Sequence, residues 1–420
     1  MKKYWVKRSE KQIKERVFQA LDKNIDFREH NILGVPASHL DEKVFSPDAA
    51  FLKDMPFVST LVQNPNHIGC HTLGTSERFF QGTQQLEREV IDICAVDILQ
   101  ADPDTYDGYV ASGGTEANLQ AIWIYRNYFL RECHAKLSEV VLLCSQDSHY
   151  SMDKAGNVLI LDIAKIPVEK TSRKILPEAV RNTIQEQQQK GKRYFIVVAN
   201  MMTTMFGSVD DVDVLVATLK DAGCPFRLHV DGAYGGFYYP FTDEFDRHSF
   251  QNPDISSFTL DAHKMAQAPY GTGIFIIRKG LIHFANTKEA SYIEGEDYTL
   301  IGSRSGANAV AVWMILSKHG PYSWQEKIYI LQKRSEWMCR QLAQLGISYY
   351  RHPGSNIITI GSTFIRPETV EVFGLIPDNH AQPNWYKIVI MEHVTIEKLM
   401  SLVEQLAGTP SEVDHIISQQ

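Results

Sequence analysis

Between residues 140 and 277 the hydrophobic positions come in short unbroken runs: Val140 to Cys144, Tyr194 to Ala199, Phe226 to Val230, Ile255 to Leu260 and Gly273 to Ile277. Helical or polar segments separate them. Runs of this kind are strands buried on both faces, and strands alternating with helices at this rhythm predict a mainly parallel sheet covered on both sides. Upstream the period changes. Leu86, Val90, Ile91, Cys94, Ile98 and Leu99 recur at three- and four-residue steps, which predicts a helix from Gln84 to about Leu99. Met1 to Lys23 interleaves charges with single apolar residues, lacks the apolar stretch of a signal peptide, and reads as an amphipathic helix. Ile25 to Gly82 is rich in Pro, Gly, Asn and His and reads as an irregular arm, of a kind that packs on a partner subunit. Downstream, helices are expected over 307–319 and 324–345, strands near 357–360 and 386–391, and a closing helix over 396–406. The division that follows is an N-terminal helix and arm (1–82), a large domain (83–322) and a small C-terminal α/β domain (323–420).

Composition narrows the class. A chain of 420 residues, 44% hydrophobic and 22% charged, can build one large core and a smaller second one. Its formal net charge of -8 leaves no basic excess to attract nucleic acid or an anionic membrane. No stretch approaches the roughly 18 uninterrupted apolar residues of a transmembrane helix. Six cysteines show no metal or redox spacing, and several sit inside apolar runs, as buried thiols do in a reducing compartment; the expected location is the cytoplasm. No metal site is expected, and lone histidines such as His319 and His393 read as structural or exposed.

Three motifs carry chemistry. Ser112-Gly113-Gly114-Thr115-Glu116-Ala117-Asn118 follows a short apolar run and opens a long helix. Two glycines let backbone amides approach an anion at the positive helix end, and the Ser and Thr hydroxyls add donors. Alone, this is equally a tight turn with an N-cap. The second motif, His229-Val230-Asp231-Gly232-Ala233, puts an acid at the carboxyl end of an apolar strand, where open α/β sheets collect ligands. Ala233 is small enough for an aromatic group to lie against it. The third, Asp261-Ala262-His263-Lys264-Met265, comes about 33 residues after Asp231. A lysine leaving a buried strand loses hydration, which favours the free amine that forms an imine with an aldehyde. An anion cup, a strand-end acid and a strand-end His-Lys in this order meet the requirements of a pyridoxal phosphate site.

On these segments, with Ser148-His149-Tyr150-Ser151, Asn200 to Asp211 and Thr299 to Gly306, the chain resembles the group II pyridoxal-phosphate-dependent amino-acid decarboxylases from about Asn64 to its end. Within that family it is most similar to short bacterial histidine decarboxylases and plant serine decarboxylases. The resemblance implies an aspartate-aminotransferase-like fold (fold type I) and a homodimer with shared active sites. It also implies pyridoxal 5'-phosphate as cofactor and decarboxylation of an L-amino acid to its amine. It assigns Lys264 as the imine lysine, Asp231 as partner of the ring nitrogen, and His149 as the stacking residue opposite Ala233. Ser112, Gly113, Gly114, Thr115 and His263 become phosphate ligands, with Ser303 reaching in from a neighbouring subunit. Thr203 becomes a ligand of the cofactor's phenolic oxygen or of the substrate carboxylate, and Tyr292 a proton donor on a mobile loop.

One departure stands out: Met202-Thr203-Thr204 replaces the Gly-Thr-Thr of many relatives, putting a side chain where backbone usually passes. His71 and Phe80, with His67, Phe79 and Gln81, lie in the arm that relatives use to shape the substrate pocket; packing between subunits explains them equally well. Histidine and serine lead the substrate candidates, ahead of tyrosine, glutamate and aspartate. The other readings are an aldehyde-lyase related to sphingosine-phosphate lyase and a silent protein that keeps the cofactor geometry without turnover.

Overall fold

The computed structural model describes residues 3–25, 40–73, 78–245, 247–285 and 297–408. Its strands are β1 (Asn66–Ile68), β2 (Tyr106–Ala111), β3 (Val140–Ser145), β4 (Asp162–Ile166), β5 (Tyr194–Asn200), β6 (Phe226–Gly232), β7 (Ile255–Asp261), β8 (Gly273–Arg278), β9 (Ser303–Ser305), β10 (Tyr349–Tyr350), β11 (Ile357–Gly361), β12 (Ile376–Pro377) and β13 (Trp385–Val389). Seven of them form one sheet in the order β2-β8-β7-β6-β5-β3-β4, in which only β8 runs antiparallel to its neighbours. All five expected apolar runs are strands of this sheet. Their continuous hydrophobicity has a plain cause: Val141, Leu143, Val197 and Ile276 face one apolar cluster, while Leu142, Cys144, Ile196 and Ile277 face another on the opposite side. Helix Gly114–Glu132 covers the second side. Helices Pro177–Gln189 and Val212–Asp221 cover the first.

Several expectations change in detail. The helix expected to run to Leu99 is α-helical only over Gln81–Asp92 and continues as a π-helical stretch, Ile93–Ile98. The two helices expected at 307–319 and 324–345 are present within Gly306–Gln344 and meet at Gly320, whose φ of 65° and following Pro321 break the helical ladder between them. The arm is less irregular than its composition suggested. It contains helix Pro56–Gln63, and β1 pairs antiparallel with β9. The N-terminal helix spans Glu10–Asp22 with a Ser9/Gln12 capping box. Before it, the backbone N–H groups of Lys3, Tyr4 and Trp5 all donate to the carboxylate of Asp97, and Trp5 is buried beside Trp324 and Phe241. The C-terminal strands form a separate antiparallel sheet, β10-β11-β13-β12.

Candidate active site

Parallel strands deliver their carboxyl ends to one edge, and there Asn200, Asp231 and Asp261 meet the loop after β2. The result is a cavity of about 310 Å³ lined by Ser112, Gly113, Gly114, Thr115, His149, Thr203, Asp231, Ala233, His263 and Lys264, among others. Residues as far apart as 112 and 264 in the chain thus share one site. Of the other expected site residues, Phe80 is buried and Ser303 sits on β9, its hydroxyl accepting from Asn66 at 3.1 Å; neither lines this cavity. Tyr292 and the His71 side chain lie outside the described residues.

The Gly-Gly loop is wedged. A side chain at Gly273 of β8 would come within 2.5–2.7 Å of the Gly113 backbone, and one at Gly114 within 2.7 Å of Asp261 Oδ2. Glycine is needed for the strands to close around the loop. No side chain caps helix Gly114–Glu132, so its first N–H groups face the cavity with the helix dipole behind them. Glu116, which also lines the cavity, accepts from the Ser112 N–H at 2.5 Å and the Tyr109 hydroxyl at 3.0 Å.

Asp231 is buried at the end of β6. Its Oδ1 accepts from the Ala233 N–H at 3.0 Å and its Oδ2 from the Asn118 amide at 2.8 Å. Across the cavity, the Ser151 N–H donates to His149 Nδ1 at 3.2 Å. That nitrogen is therefore the acceptor, and the hydrogen of the neutral ring sits on Nε2. Burial holds His149 below the usual histidine range, against an opposing pull from Asp231. The Lys264 side chain is 33% exposed, so its strand-end position strips less water from it than the sequence suggested. Its Nζ lies 3.3 Å from Asp261 Oδ2, and His263 Nε2 lies 3.5 Å from the same oxygen. Burial raises the Asp261 carboxyl, while Lys264 and His263 pull it back down. Thr203 is tied to Ser208, whose N–H donates to its hydroxyl oxygen at 3.1 Å. Met202 is buried at a φ of 71°, a left-handed conformation costly for a residue with a side chain.

A pyridine aldehyde bearing a phosphate fits this donor set. Buried His263 Nδ1 and Asp261 Oδ1 have no hydrogen-bond partner among the described residues, beside a glycine cradle, an uncapped helix start, an amine and a strand-end acid. Sequence reasoning missed Asn118, His229, Ser151 and Asp261 as members of this assembly. One local signal existed: Asp231 and His229 are two apart on a strand and so share a face.

Residues 83–346 match the model of the pyridoxal-dependent decarboxylase conserved domain. Over 405 residues the chain is 47% identical to a tryptophan decarboxylase of Clostridium sporogenes, covering 96% of this chain and 97% of that one. It is 30% identical over 254 residues to a histidine decarboxylase of Vibrio campbellii, covering 60% of this chain and 62% of that one. Among solved structures, L-methionine decarboxylase from Streptomyces sp. 590 superposes with a TM-score of 0.69 at 22% identity, covering 82% of this chain and 87% of that one.

Proposed function

Since the chain belongs to the pyridoxal-dependent decarboxylase family, with the fold type I architecture and pyridoxal phosphate as its cofactor, we propose that the amino acid it decarboxylates is L-tryptophan, released as tryptamine. The observation that carries this is the 47% identity, sustained over nearly the full length of both chains, to a tryptophan decarboxylase. It moves the substrate away from histidine and serine, which the family resemblance had put first. Amino-acid decarboxylation itself, expected from the motifs, is what the family and the relatives support, ahead of the aldehyde-lyase and silent-binder readings.

When bound, pyridoxal phosphate supplies the electron-withdrawing ring that accepts the electron pair left behind as carbon dioxide departs. In our reading the chain's own groups then divide the work. Ser112, Gly113, Gly114, Thr115 and His263 would hold the phosphate at the uncapped helix start. Lys264 would be the amine that holds the cofactor's aldehyde group, with Asp261 3.3 Å away to orient it. Asp231 would be the acid that partners the ring nitrogen. His149, neutral and held by the Ser151 N–H, would be the residue to stack on the cofactor ring, with Ala233 small enough to leave it room. Thr203 serves the phenolic oxygen or the substrate carboxylate, and Tyr292 the proton returned to the α-carbon. His71 and Phe80 remain our candidates for substrate contacts contributed across a subunit boundary, and Ser303 for a phosphate contact of the same kind.

A homodimer with shared sites is part of the proposal. It is supported by Leu300 and Ile301, exposed hydrophobic residues just before Ser303. A cytoplasmic location is supported by all six cysteines being thiols. No helix among the described residues is long and apolar enough to cross a membrane.

The test is to incubate the purified protein, with pyridoxal phosphate, in an equimolar pool of L-amino acids and to identify new amines by mass spectrometry. Tryptamine as the leading product, absent with Lys264→Ala, supports the proposal. Histamine, ethanolamine or another amine in its place overturns the substrate assignment.

A further inference from the structure

Behind Asp231 a line of polar side chains runs through the otherwise apolar layer between helix Gly114–Glu132 and the sheet. Asn118 and Tyr125, seven residues apart on the helix, face inward. His229 on β6 and Ser257 and Thr259 on β7 face them, and all five are buried. The Asn118 amide reaches Asp231 Oδ2 at 2.8 Å, and His229 Nε2 lies 3.0 Å from Asn118 Oδ1 and 3.1 Å from Thr259 Oγ1. His229 Nδ1 lies 2.6 Å from Ser257 Oγ, which pairs in turn with the Tyr125 hydroxyl.

The hydrogens along the path from Asp231 through Asn118, His229 and Ser257 to Tyr125 can be assigned from one end. An ionised carboxylate only accepts, so Asn118 must present its NH₂ to Asp231 and its oxygen to His229. His229 Nε2 must then carry a hydrogen. Burial holds this histidine down at about 4, so the ring is neutral and Nδ1 accepts the Ser257 hydroxyl hydrogen. Ser257 oxygen is left to accept from Tyr125. All donors point the same way, toward Asp231, and aligned hydrogen bonds polarise one another in a low-dielectric interior. The Asn118 amide also lies 3.2 Å from Ser151 Oγ, which is 3.0 Å from His149 Nδ1. One side chain thus braces both Asp231 and His149.

We propose that Tyr125, Ser257, His229 and Asn118 form a directional hydrogen-bond relay that fixes Asp231 as a negatively charged acceptor, making Asn118 and His229 positioning residues for the cofactor. This rests on the reading of Asp231 as partner of the ring nitrogen. A neutral asparagine and a neutral histidine would be a costly choice for an apolar layer if packing were their whole role, since each must find partners for several polar atoms there.

The experiment compares the full chain with its Asp231→Asn, Asn118→Ala, His229→Leu, His229→Gln and Ser257→Ala variants. Each apoprotein is titrated with pyridoxal phosphate to obtain the dissociation constant, and the absorbance spectrum of the bound cofactor is recorded at one fixed pH. Asn118→Ala and His229→Leu are expected to weaken cofactor binding about tenfold, the scale of one hydrogen bond to a charged group, and to displace the spectrum in the same direction as Asp231→Asn. His229→Gln, which keeps an N–H for Asn118, recovers most of that loss, whereas a purely volumetric role would rank it with leucine. Wild-type affinity and spectrum in Asn118→Ala and His229→Leu, beside an altered Asp231→Asn, overturn the relay and leave the Asp231 reading intact. An unaltered Asp231→Asn overturns that reading instead. If the larger changes prevent folding, Ser257→Ala decides alone: a displaced spectrum supports the relay, and an unchanged one overturns it.

Discussion

The ε-amine of Lys264 lies 3.3 Å from Oδ2 of Asp261, the buried last residue of β7, and that oxygen is also 3.5 Å from His263 Nε2. One strand-end acid therefore faces both the amine and the imidazole that follow it in the sequence. The backbone makes this possible, since the Lys264 N–H donates to the Asp261 carbonyl and curls the chain back over its own carboxylate.

Replacing Lys264 tests the amine directly. Lys264→Ala is expected to lower turnover by at least about 1,000-fold, because no other lysine among the described residues lines the cavity. The side chain is a third exposed, so the melting temperature of the apoprotein is expected to move by no more than about 2 °C. Amine release and thermal denaturation of the same preparation separate the two effects.

Asp210 gives the protein a pH dependence of known sign. Burial pushes its carboxyl up to about 7, although the backbone and side-chain N–H groups of Asn200 pull it down. In the unfolded chain the group titrates near about 3.9. Between these values the folded state keeps a proton that the unfolded chain has released, so Asp210 erodes stability as pH rises from about 4 to about 7. Asp210→Asn keeps an acceptor for Asn200 and removes the titration. Relative to this variant, the wild type is expected to lose about 2–4 kcal/mol over that window in urea unfolding. Parallel profiles for the two proteins would refute the assignment.

Met202 holds a left-handed φ of 71° on the cavity wall. Met202→Gly relieves about 1 kcal/mol of backbone strain but leaves the buried volume of the side chain empty, for a net loss of about 1–3 kcal/mol. Because the side chain borders the cavity, KM is expected to change more than kcat. Steady-state kinetics with L-tryptophan and with smaller amino acids, alongside denaturant unfolding, checks both statements.

Arg304 and Glu87 form a buried ion pair to which His67, held below the usual histidine range by burial, is hydrogen-bonded, and Arg304 also donates to the Val110 carbonyl of β2, tying β9 to the main sheet. Arg304 Nη1 is 2.5 Å from Glu87 Oε1, and His67 Nδ1 is 2.6 Å from Glu87 Oε2. Burial opposes the arginine's charge, but Glu87 outweighs it. Arg304→Met leaves Glu87 without its strongest partner and is expected to cost about 3–5 kcal/mol. Adding Glu87→Gln should recover part of that loss, a non-additivity that urea denaturation of the single and double variants measures.

Much of the site was legible because its chemistry is local. Gly113-Gly114 before a helix, Asp231 at a strand end and His263-Lys264 at the next each announce themselves within a few residues. The apolar runs were legible for a related reason: a strand buried on both faces has no polar position to alternate with. Strands β2 and β4 were harder to see, since Asp107, Gly108, Asp162 and Lys165 interrupt their hydrophobicity. The arm was hidden by its composition, because β1 gains a partner only when residue 305 comes back to residue 66.

By itself, then, the sequence determined which segments are buried, which strand ends carry acid and amine, and the class of cofactor those groups suit. Its patterns of hydrophobicity, glycine placement and strand-end chemistry are properties of short stretches, and short stretches dictate local conformation. Tertiary structure alone decided that Asn118 braces Asp231 from 113 positions away and that His229 bonds to Ser257 across 28. It also decided that the N–H groups of residues 3 to 5 close on Asp97. These pairings depend on the order of strands in the sheet and on which face of helix Gly114–Glu132 is pressed against it. Packing the whole chain at once settles both, and no window of neighbouring residues contains them.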